Sequence, residues 1–530
     1  MPRIIFLPAL LFTMASHAQL QQACIKMDSP FFINSALGGF VQTADGGYAS
    51  VGTFSETNDG NSDIGITKFD ANGNVQWMHQ LNATGSVGAY AYAAVPTADG
   101  GLAIAGPHYL LGGVFIAKLD ADGIVEWANT YTSPDYTVQP NIYFDSFVQM
   151  NDGGFAYLLT QSTISRGYCV LRTDANGEIL WSDEVRFTYF ASDLAELPNG
   201  DLILSGWESQ GAALTMRKDG LTGATEWMHW FKGENENFGV NGVTIGPDST
   251  IVLVGECAVP VLGERLHLCA MGLSPDGTPL WMTKVSTADH GGGWEVATHP
   301  DGGYVIAGRS FDFSTLAEIA PTVTRLTNDG QLEWSKRYTP TGLLTSWMTR
   351  ISVADDGDLL VSGYDADDTD YPQLLRKLGP DGSSCPYCPS QDTGSYVALT
   401  PIIAPEQGFM SAGPWAISQP TPFTLTDHTA QVVADICGTT AVEEYPEPVL
   451  ATVAPNPCED RCTITLSSAL AQRPVVIELR DALGRIVHRQ RATGQANTID
   501  IASLPAASYS YRIVEGNTTL ATGKLHVMRP

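Results

Sequence analysis

Helical patterning is the plainest absence in this chain. No segment of its 530 residues repeats apolar positions at the 3.6-residue period of an amphipathic helix. Helix bundles are therefore excluded, and the all-β classes remain. Beyond the N-terminus, no apolar run is long enough to cross a bilayer as a helix. Basic residues are scarce, with 28 Lys and Arg against 57 Asp and Glu, for a formal net charge of −29. A body this acidic does not suit nucleic acid or anionic membrane surfaces, and it keeps an exported protein soluble. Neither His-Glu-x-x-His nor Gly-x-Ser-x-Gly occurs, so two common hydrolytic sites have no anchor. The ten His residues are scattered.

What is present is a repeat of about fifty residues. Each copy opens with an Asp-Gly or Asn-Gly turn, as in Ala44 to Gly52, and closes with a second turn followed by Trp, as in Thr67 to Trp77. The first-turn glycines are Gly46, Gly100, Gly153, Gly200, Gly302 and Gly357, and one copy has Pro247-Asp248-Ser249 instead. Their second-turn counterparts are Gly73, Gly123, Gly177, Gly223, Gly277, Gly330 and Gly382. A fixed period in this range marks a repeat architecture. The stretches between turns are short and rich in β-formers. Asp-Gly and Asn-Gly tolerate the positive φ of tight hairpins, so each copy reads as four hairpin-linked strands, one propeller blade.

The fold expected is all-β: a seven- or eight-bladed β-propeller over residues 19–438, a Pro-rich linker at 439–450, and a small immunoglobulin-like β-sandwich at 451–530. Seven copies are clear. A worn eighth, around Thr400 to Cys437, keeps the spacing but lacks the second turn and its Trp. Fifty residues of β-pattern tip the count towards eight. Trp77, Trp127, Trp181, Trp227, Trp281 and Trp334 recur at one offset, so they are read as structural wedges between blades.

Three chemical readings compete with structure at the repeated turns. Asp70-x-Asn72-Gly73, Asp120-x-Asp122-Gly123 and Asp174-x-Asn176-Gly177 are similar to the start of a calcium loop. The twelfth positions of such loops would be Leu81, Tyr131 and Val185, which supply no acid. Asp70, Asp120, Asp122 and Asp174 stay as the metal candidates, with turn capping as the simpler role. Asp219 to Trp227 resembles the tryptophan-docking motif of eight-bladed quinoprotein dehydrogenases. Only one blade has the full form, and the adjacent-cysteine pair of many such enzymes is missing, so no cofactor is assigned. His290-Gly-Gly-Gly293-Trp294 is similar to an oxyanion-loop string but lacks a nucleophile context, and it reads as an inter-blade loop. No catalytic residue is assigned. If the repeated residues build blades, function lies where copies differ, in uneven stretches such as Tyr131 to Tyr143, Trp230 to Asn241, Asp289 to Trp294 and Tyr364 to Tyr371.

Arg3, the apolar stretch Ile4 to Phe12, and Ser16-His17-Ala18 form a signal peptide over residues 1–18. Nine cysteines fit an oxidising compartment. Cys257 and Cys269 flank one predicted strand connection, and Cys458 and Cys462 are close enough to close a small loop, so both pairs are disulfide candidates. Cys385, Cys388 and Cys437 read as disulfide-forming, since no second Cys-x-x-Cys or suitably spaced His pair supports zinc. Cys24 is left over, and Cys169, inside a predicted strand, is expected to be free.

The last eighty residues differ in kind. They hold nine Lys/Arg and six Asp/Glu, a net +3 that leaves −32 on the rest. Pro455-Asn456-Pro457, Asp481-x-x-Gly484-Arg-x-Val487, Ile499 to Tyr509, and Gly523-Lys524-Leu525 occur in order. Together they resemble the type IX secretion (Por) C-terminal sorting domain of the Bacteroidetes, with Ala507 where a Gly is usual. The resemblance implies transit of the periplasm, contact with the type IX machinery, and a final place outside or on the outer cell surface. The expectation is a monomeric secreted or cell-surface binding or adhesion protein, with a glycan or protein ligand at its propeller loops. The alternative is a secreted propeller enzyme, either a glycan hydrolase or lyase or a quinoprotein.

Overall fold

The protein is described from a computed structural model. It covers residues 23–27, 39–54, 63–83, 91–108, 113–132, 146–161, 167–186, 190–207, 211–260, 265–286, 290–311, 320–338, 345–366, 373–384, 390–392, 395–404, 410–413, 417–420, 423–428, 434–435, 451–454, 458, 460–466, 471, 473–480, 485–515 and 518–529. The signal segment, Cys385, Cys388, Cys437, Pro455 to Pro457, Asp481 and Gly484 lie outside these residues. The chain divides into two compact units, Met1–Thr439 and Thr440–Pro530.

In the first unit the described residues form seven five-stranded antiparallel sheets. Blade 1 runs Phe40–Gln42, Tyr48–Phe54, Asp63–Phe69 and Val75–Ala83. Blades 2 to 6 follow the same order, with inner strands Ala93–Pro96, Ser146–Gln149, Phe190–Glu196, Asn237–Ile245 and His290–Thr298. Blade 7 has Thr345–Val353, Leu359–Ala366 and Gln373–Leu378, and takes its fourth strand from Ala23–Met27 near the other end of the chain. The inner strands pack on one another in chain order, and the last packs on the first. Two bonds from blade 7 to blade 1 mark the closure: Ser352 Oγ donates to the Phe40 carbonyl, and the Asp355 amide donates to Gln42 Oε1. The unit is a closed β-propeller.

The stretch read as a worn eighth copy builds no sheet of its own among the described residues. It turns back along the ring and adds one strand per blade. Ser390–Asp392 joins blade 6, Ser395–Leu399 blade 5, Pro401–Ala404 blade 4 and Met410–Gly413 blade 3. Ile417–Pro420 then joins blade 2, Phe423–His428 blade 1, and Ala434–Asp435 the Ala23–Met27 strand of blade 7. The extra β-pattern is thus a belt. Main-chain bonding to fourth-strand edges, which would otherwise be open, accounts for it.

The repeated residues answer one another. In the first turn Gly46 sits at φ +78 and donates to the Thr43 carbonyl, a hairpin geometry that glycine adopts without strain. In blade 5 the same position is Ser249, at φ +67, the one non-glycine residue with positive φ among those described. Each Trp ring lies against the second-turn glycine of the next blade: Trp77 on Gly123, Trp127 on Gly177, Trp181 on Gly223, Trp227 on Gly277, Trp281 on Gly330 and Trp334 on Gly382. A β-carbon at those glycines would fall 2.3–3.3 Å from the ring. The scarce basic residues recur as well. Lys68, Lys118, Arg172, Arg217 and Lys377, just before the second turn, pair with first-turn Asp45, Asp99, Asp152, Asp201 and Asp356. All but Arg217 are buried, and Lys118 and Lys377 each hold a second carboxylate as well, Glu126 and Asp358. Blade 5 has Gly272 at this position, and the Trp281 ring fills the space.

Cys257 and Cys269 are bridged across two strands of blade 5, and Cys169 is a buried thiol outside that bridge. The second unit is a small β-sandwich. One sheet holds Ala451–Ala454, Arg461–Leu466 and Ala496–Asp500; the other holds Ile486–Arg491, Val476–Arg480, Ala507–Glu515 and Thr518–Val527. Ile464, Ile499, Ile477, Leu479, Tyr511 and Ile513 meet in its core. Cys458 and Cys462 stand as buried thiols there. The buried Tyr509 donates its hydroxyl to the Pro505 carbonyl, and Gly523 and Lys524 pair with Tyr511 and Ser510. Arg529 ties the turn together through the carbonyls of Ile501, Ala502 and Leu504.

Candidate functional site

The residues most easily noticed in the sequence serve the blades. Asp70 Oδ1 accepts from the amides of Asn72 and Asn74, Asp120 Oδ1 from Asp122 and Ile124, and Asp174 Oδ1 from Asn176 and Glu178. The structure does not bring these three turns together. Asp201, Asp219 and Glu226 do offer carboxylate oxygens within 4.8 Å of one another, with Arg217 bonded to Asp201 and 2.9 Å from Glu226. That guanidinium pairs with two of the three carboxylates, and Asp219 caps the amides of Leu221 and Thr222. Trp227 of the quinoprotein-like string donates Nε1 to the Pro275 carbonyl. His290 to Trp294 is not a loop but the start of the blade 6 inner strand. Its glycines have a packing reason, because a β-carbon on Gly292 would meet the Glu256 carboxylate at 2.4 Å. Trp230 to Asn241 is likewise mostly strand, while most of Tyr131 to Tyr143 and of Tyr364 to Tyr371 lies outside the described residues.

The copies differ most in chemistry along the axis. Seven residues before the first-turn position, the blades carry in order Gly39, Ala93, Ser146, Asp193, Gly242, Glu295 and Arg350. All but Gly242 line one cavity of about 480 Å³ enclosed by the inner strands. In blades 4 to 7 the inner strand carries a β-bulge here, between Ala191 and Asp193, Val240 and Gly242, Gly293 and Glu295, and Met348 and Arg350. A bulge inserts one residue and re-aims its neighbours, a device over-represented beside active sites. The inserted Ser192 donates to the Val240 carbonyl, and the inserted Asn241 donates to that of Gly293, so both lock onto the next blade.

The three charged residues are anchored across blades. Asp193 accepts from Ser146 Oγ of blade 3, and from the Leu194 and Val243 amides at 2.9 and 2.7 Å. Burial pushes its carboxyl up, against those hydrogen bonds and the field of Arg350. Glu295 Oε2 accepts from the Ile351 amide at 3.1 Å, and Oε1 lies 3.7 Å from Arg350 Nη1. Burial pushes the Glu295 carboxyl up to about 7, opposed by Arg350 and assisted by Asp193. Arg350 Nη2 donates to the Tyr92 carbonyl of blade 2 at 3.0 Å. Two residues further along their inner strands, Val41, Val95, Val148 and Ala195 also line the cavity, all half-buried. The channel thus combines charged and apolar lining, and it holds a proton acceptor, a fixed cation and room for a small group.

Comparison with known proteins bears on the second unit. Residues 452–528 match the family model described as the secretion system C-terminal sorting domain. The chain carries a type IX sorting domain. This cargo is therefore secreted to the cell surface or beyond, and no described helix is long and apolar enough to cross a membrane. A comparison with curated proteins found no match. Several solved structures share similarity. PorZ of Porphyromonas gingivalis, described as an essential bacterial surface component of the type IX secretion system, is 12% identical, with 92% of this chain and 69% of that chain covered and a TM-score of 0.32. The Dos1 propeller is 10% identical over 67% of this chain and 95% of its own, with a TM-score of 0.37. A protein of unknown function from Dyadobacter fermentans is 11% identical over 67% and 97%, with a TM-score of 0.35.

Proposed function

We propose that this exported cargo is a binding protein whose ligand seats in the propeller channel. One observation carries the reading. At a single repeat position, where other blades carry Gly, Ala or Ser, three blades carry Asp193, Glu295 and Arg350, and a bulge aims each into the cavity. A fold needs no charge there, and partly buried charge on an axis costs stability, which a binding task would justify. The scaffold is rigid and the cavity falls within the usual range for small-molecule sites, roughly 300–1,000 Å³.

A thermal-shift screen of the purified protein against glycans, peptides and small metabolites tests this. The expected result is a stabilising ligand whose effect disappears in Arg350→Ala. A ligand that stabilises that variant as strongly as the native protein places binding elsewhere and overturns the reading. The raised Glu295 carboxyl is also what a general acid requires, so the same ligands are followed for turnover. Turnover of a polysaccharide lost in Glu295→Gln replaces binding with catalysis.

A further inference from the structure

We propose that Cys458 and Cys462 are oxidised to a disulfide in the periplasm, and that this bond staples the two sheets of the sorting domain before export. The inference is independent of the channel. Both cysteines belong to one core cluster and are buried in it. They reach it from different sheets. Cys458 is fixed to the end of the last strand. Its amide donates to the His526 carbonyl and its carbonyl accepts from the Met528 amide, both at 2.9 Å, and it bridges Val527. Cys462 lies on the Arg461–Leu466 strand of the opposite sheet, where it pairs with Ile499. Inside the core the two thiols are hydrogen-bond partners of each other. The two sheets share no strand, so a bond between these sulfurs is a covalent link across the sandwich.

The route of the chain and the size of the unit favour that link. An exported protein passes through oxidising surroundings, and a unit this small has a limited core to hold it closed. Burial sets the order of events. It pushes both thiols up, that of Cys462 to about 12, so the closed sandwich offers little thiolate for exchange. In the unfolded chain the thiols return to ordinary values and are accessible. The bond therefore forms before the sandwich closes. One cysteine thiolate attacks a sulfur of a periplasmic protein disulfide and expels its other sulfur as thiolate. The second cysteine then attacks the mixed disulfide and joins Cys458 to Cys462. Two protons and two electrons pass from the pair to the oxidant, which ends as a dithiol.

The test uses the full chain, expressed from Met1 in a bacterium without type IX export and recovered from the periplasm. Free thiols are alkylated under denaturing conditions without reductant, and the chain is cut with trypsin. Arg461 lies between the two cysteines, so their peptides stay joined only through the bond. Cys458 and Cys462 should escape alkylation and appear as one linked pair. Hydrogen exchange then reads what the bond does. Reductant should speed exchange in Arg461–Leu466 and Thr518–Val527 about 30-fold, the worth of closing so short a loop. The double variant Cys458→Ser, Cys462→Ser should exchange there at a rate that reductant does not change. Alkylation of both thiols overturns the proposal, as does linkage of either to another cysteine. Exchange in the native segments unmoved by reductant, or still sensitive to it in the double variant, overturns the staple.

Discussion

Gly330→Ala is the sharpest test of how the ring is held. Gly330 sits at φ +78, and an added β-carbon would lie 2.3 Å from the Trp281 ring of the preceding blade. Two costs follow. Alanine in the left-handed region costs about 1–2 kcal/mol. The ring must also shift. A fully buried Trp covers about 150–250 Å², or about 4–6 kcal/mol at about 25 cal/mol per Å². Trp281 is half-buried, so displacement forfeits up to about half of that, and the sum is about 3–5 kcal/mol. Gly46 is the matched control, with the same φ of +78 and nothing within 4 Å of its would-be β-carbon. Gly46→Ala should cost only the backbone strain. Urea unfolding of both variants, followed by circular dichroism, compares the two losses. In a Trp281→Ala background the Gly330→Ala penalty should fall to that of Gly46→Ala. Equal losses for the two single variants, or an unchanged penalty without the Trp, would refute the docking argument.

Other expectations follow from single sites. Ser249→Gly relieves the non-glycine left-handed residue and should raise stability by about 1 kcal/mol in the same assay. Replacing both Cys257 and Cys269 with Ser should cost about 3 kcal/mol by loop-closure entropy, read as a lower urea midpoint under oxidising conditions. Glu295 has its carboxyl raised from 4.5 to about 7, so between those values the folded state holds a proton that the unfolded state has lost. Its contribution is therefore largest below 4.5 and falls by about 3 kcal/mol as the pH rises through 7, and Glu295→Gln should flatten that stretch of the stability profile. Deleting residues 452–528 should leave the protein in the periplasm, seen by fractionation, and persistent secretion would contradict the sorting role.

How much was legible in the sequence depended on which physical signal each feature leaves. The turn glycines and Trp residues were plain because each must recur for the next blade to dock, and Trp127 against Gly177 or Trp334 against Gly382 shows the reciprocal need. Asp70, Asp120 and Asp174 drew attention as cation ligands for the same reason that they are common in turns, since a short carboxylate caps its own backbone. The channel charges were less visible. Asp193, Glu295 and Arg350 stand in unremarkable stretches, and only alignment on the first-turn position reveals that they occupy one station of the repeat. The bulges that aim them have no residue signature: the inserted residues are Ser192, Asn241, Trp294 and Thr349.

The belt was less legible for a deeper reason. A fourth strand such as Val75–Ala83 is recognisable because its side chains pack on both a neighbouring strand and the next blade. A fifth strand at the rim has one partner, and that partner is a backbone edge. It needs no turn glycine, no docking Trp and no fixed period. What the sequence retains is a run of short β-patterned stretches that start five to eleven residues apart, because a chain circling the rim must touch each blade in turn. Direction is lost altogether, since antiparallel addition to successive edges looks the same in composition whichever way the ring is traversed. The belt also explains how the ring closes. Ala23–Met27 pairs with Gln373–Leu378 on one edge and Ala434–Asp435 on the other, so the fourth strand of blade 7 is held between segments that are far apart in sequence. Every blade edge that the described belt strands reach is thereby paired, and open edges are what exported β-proteins most need to avoid on the way to the surface.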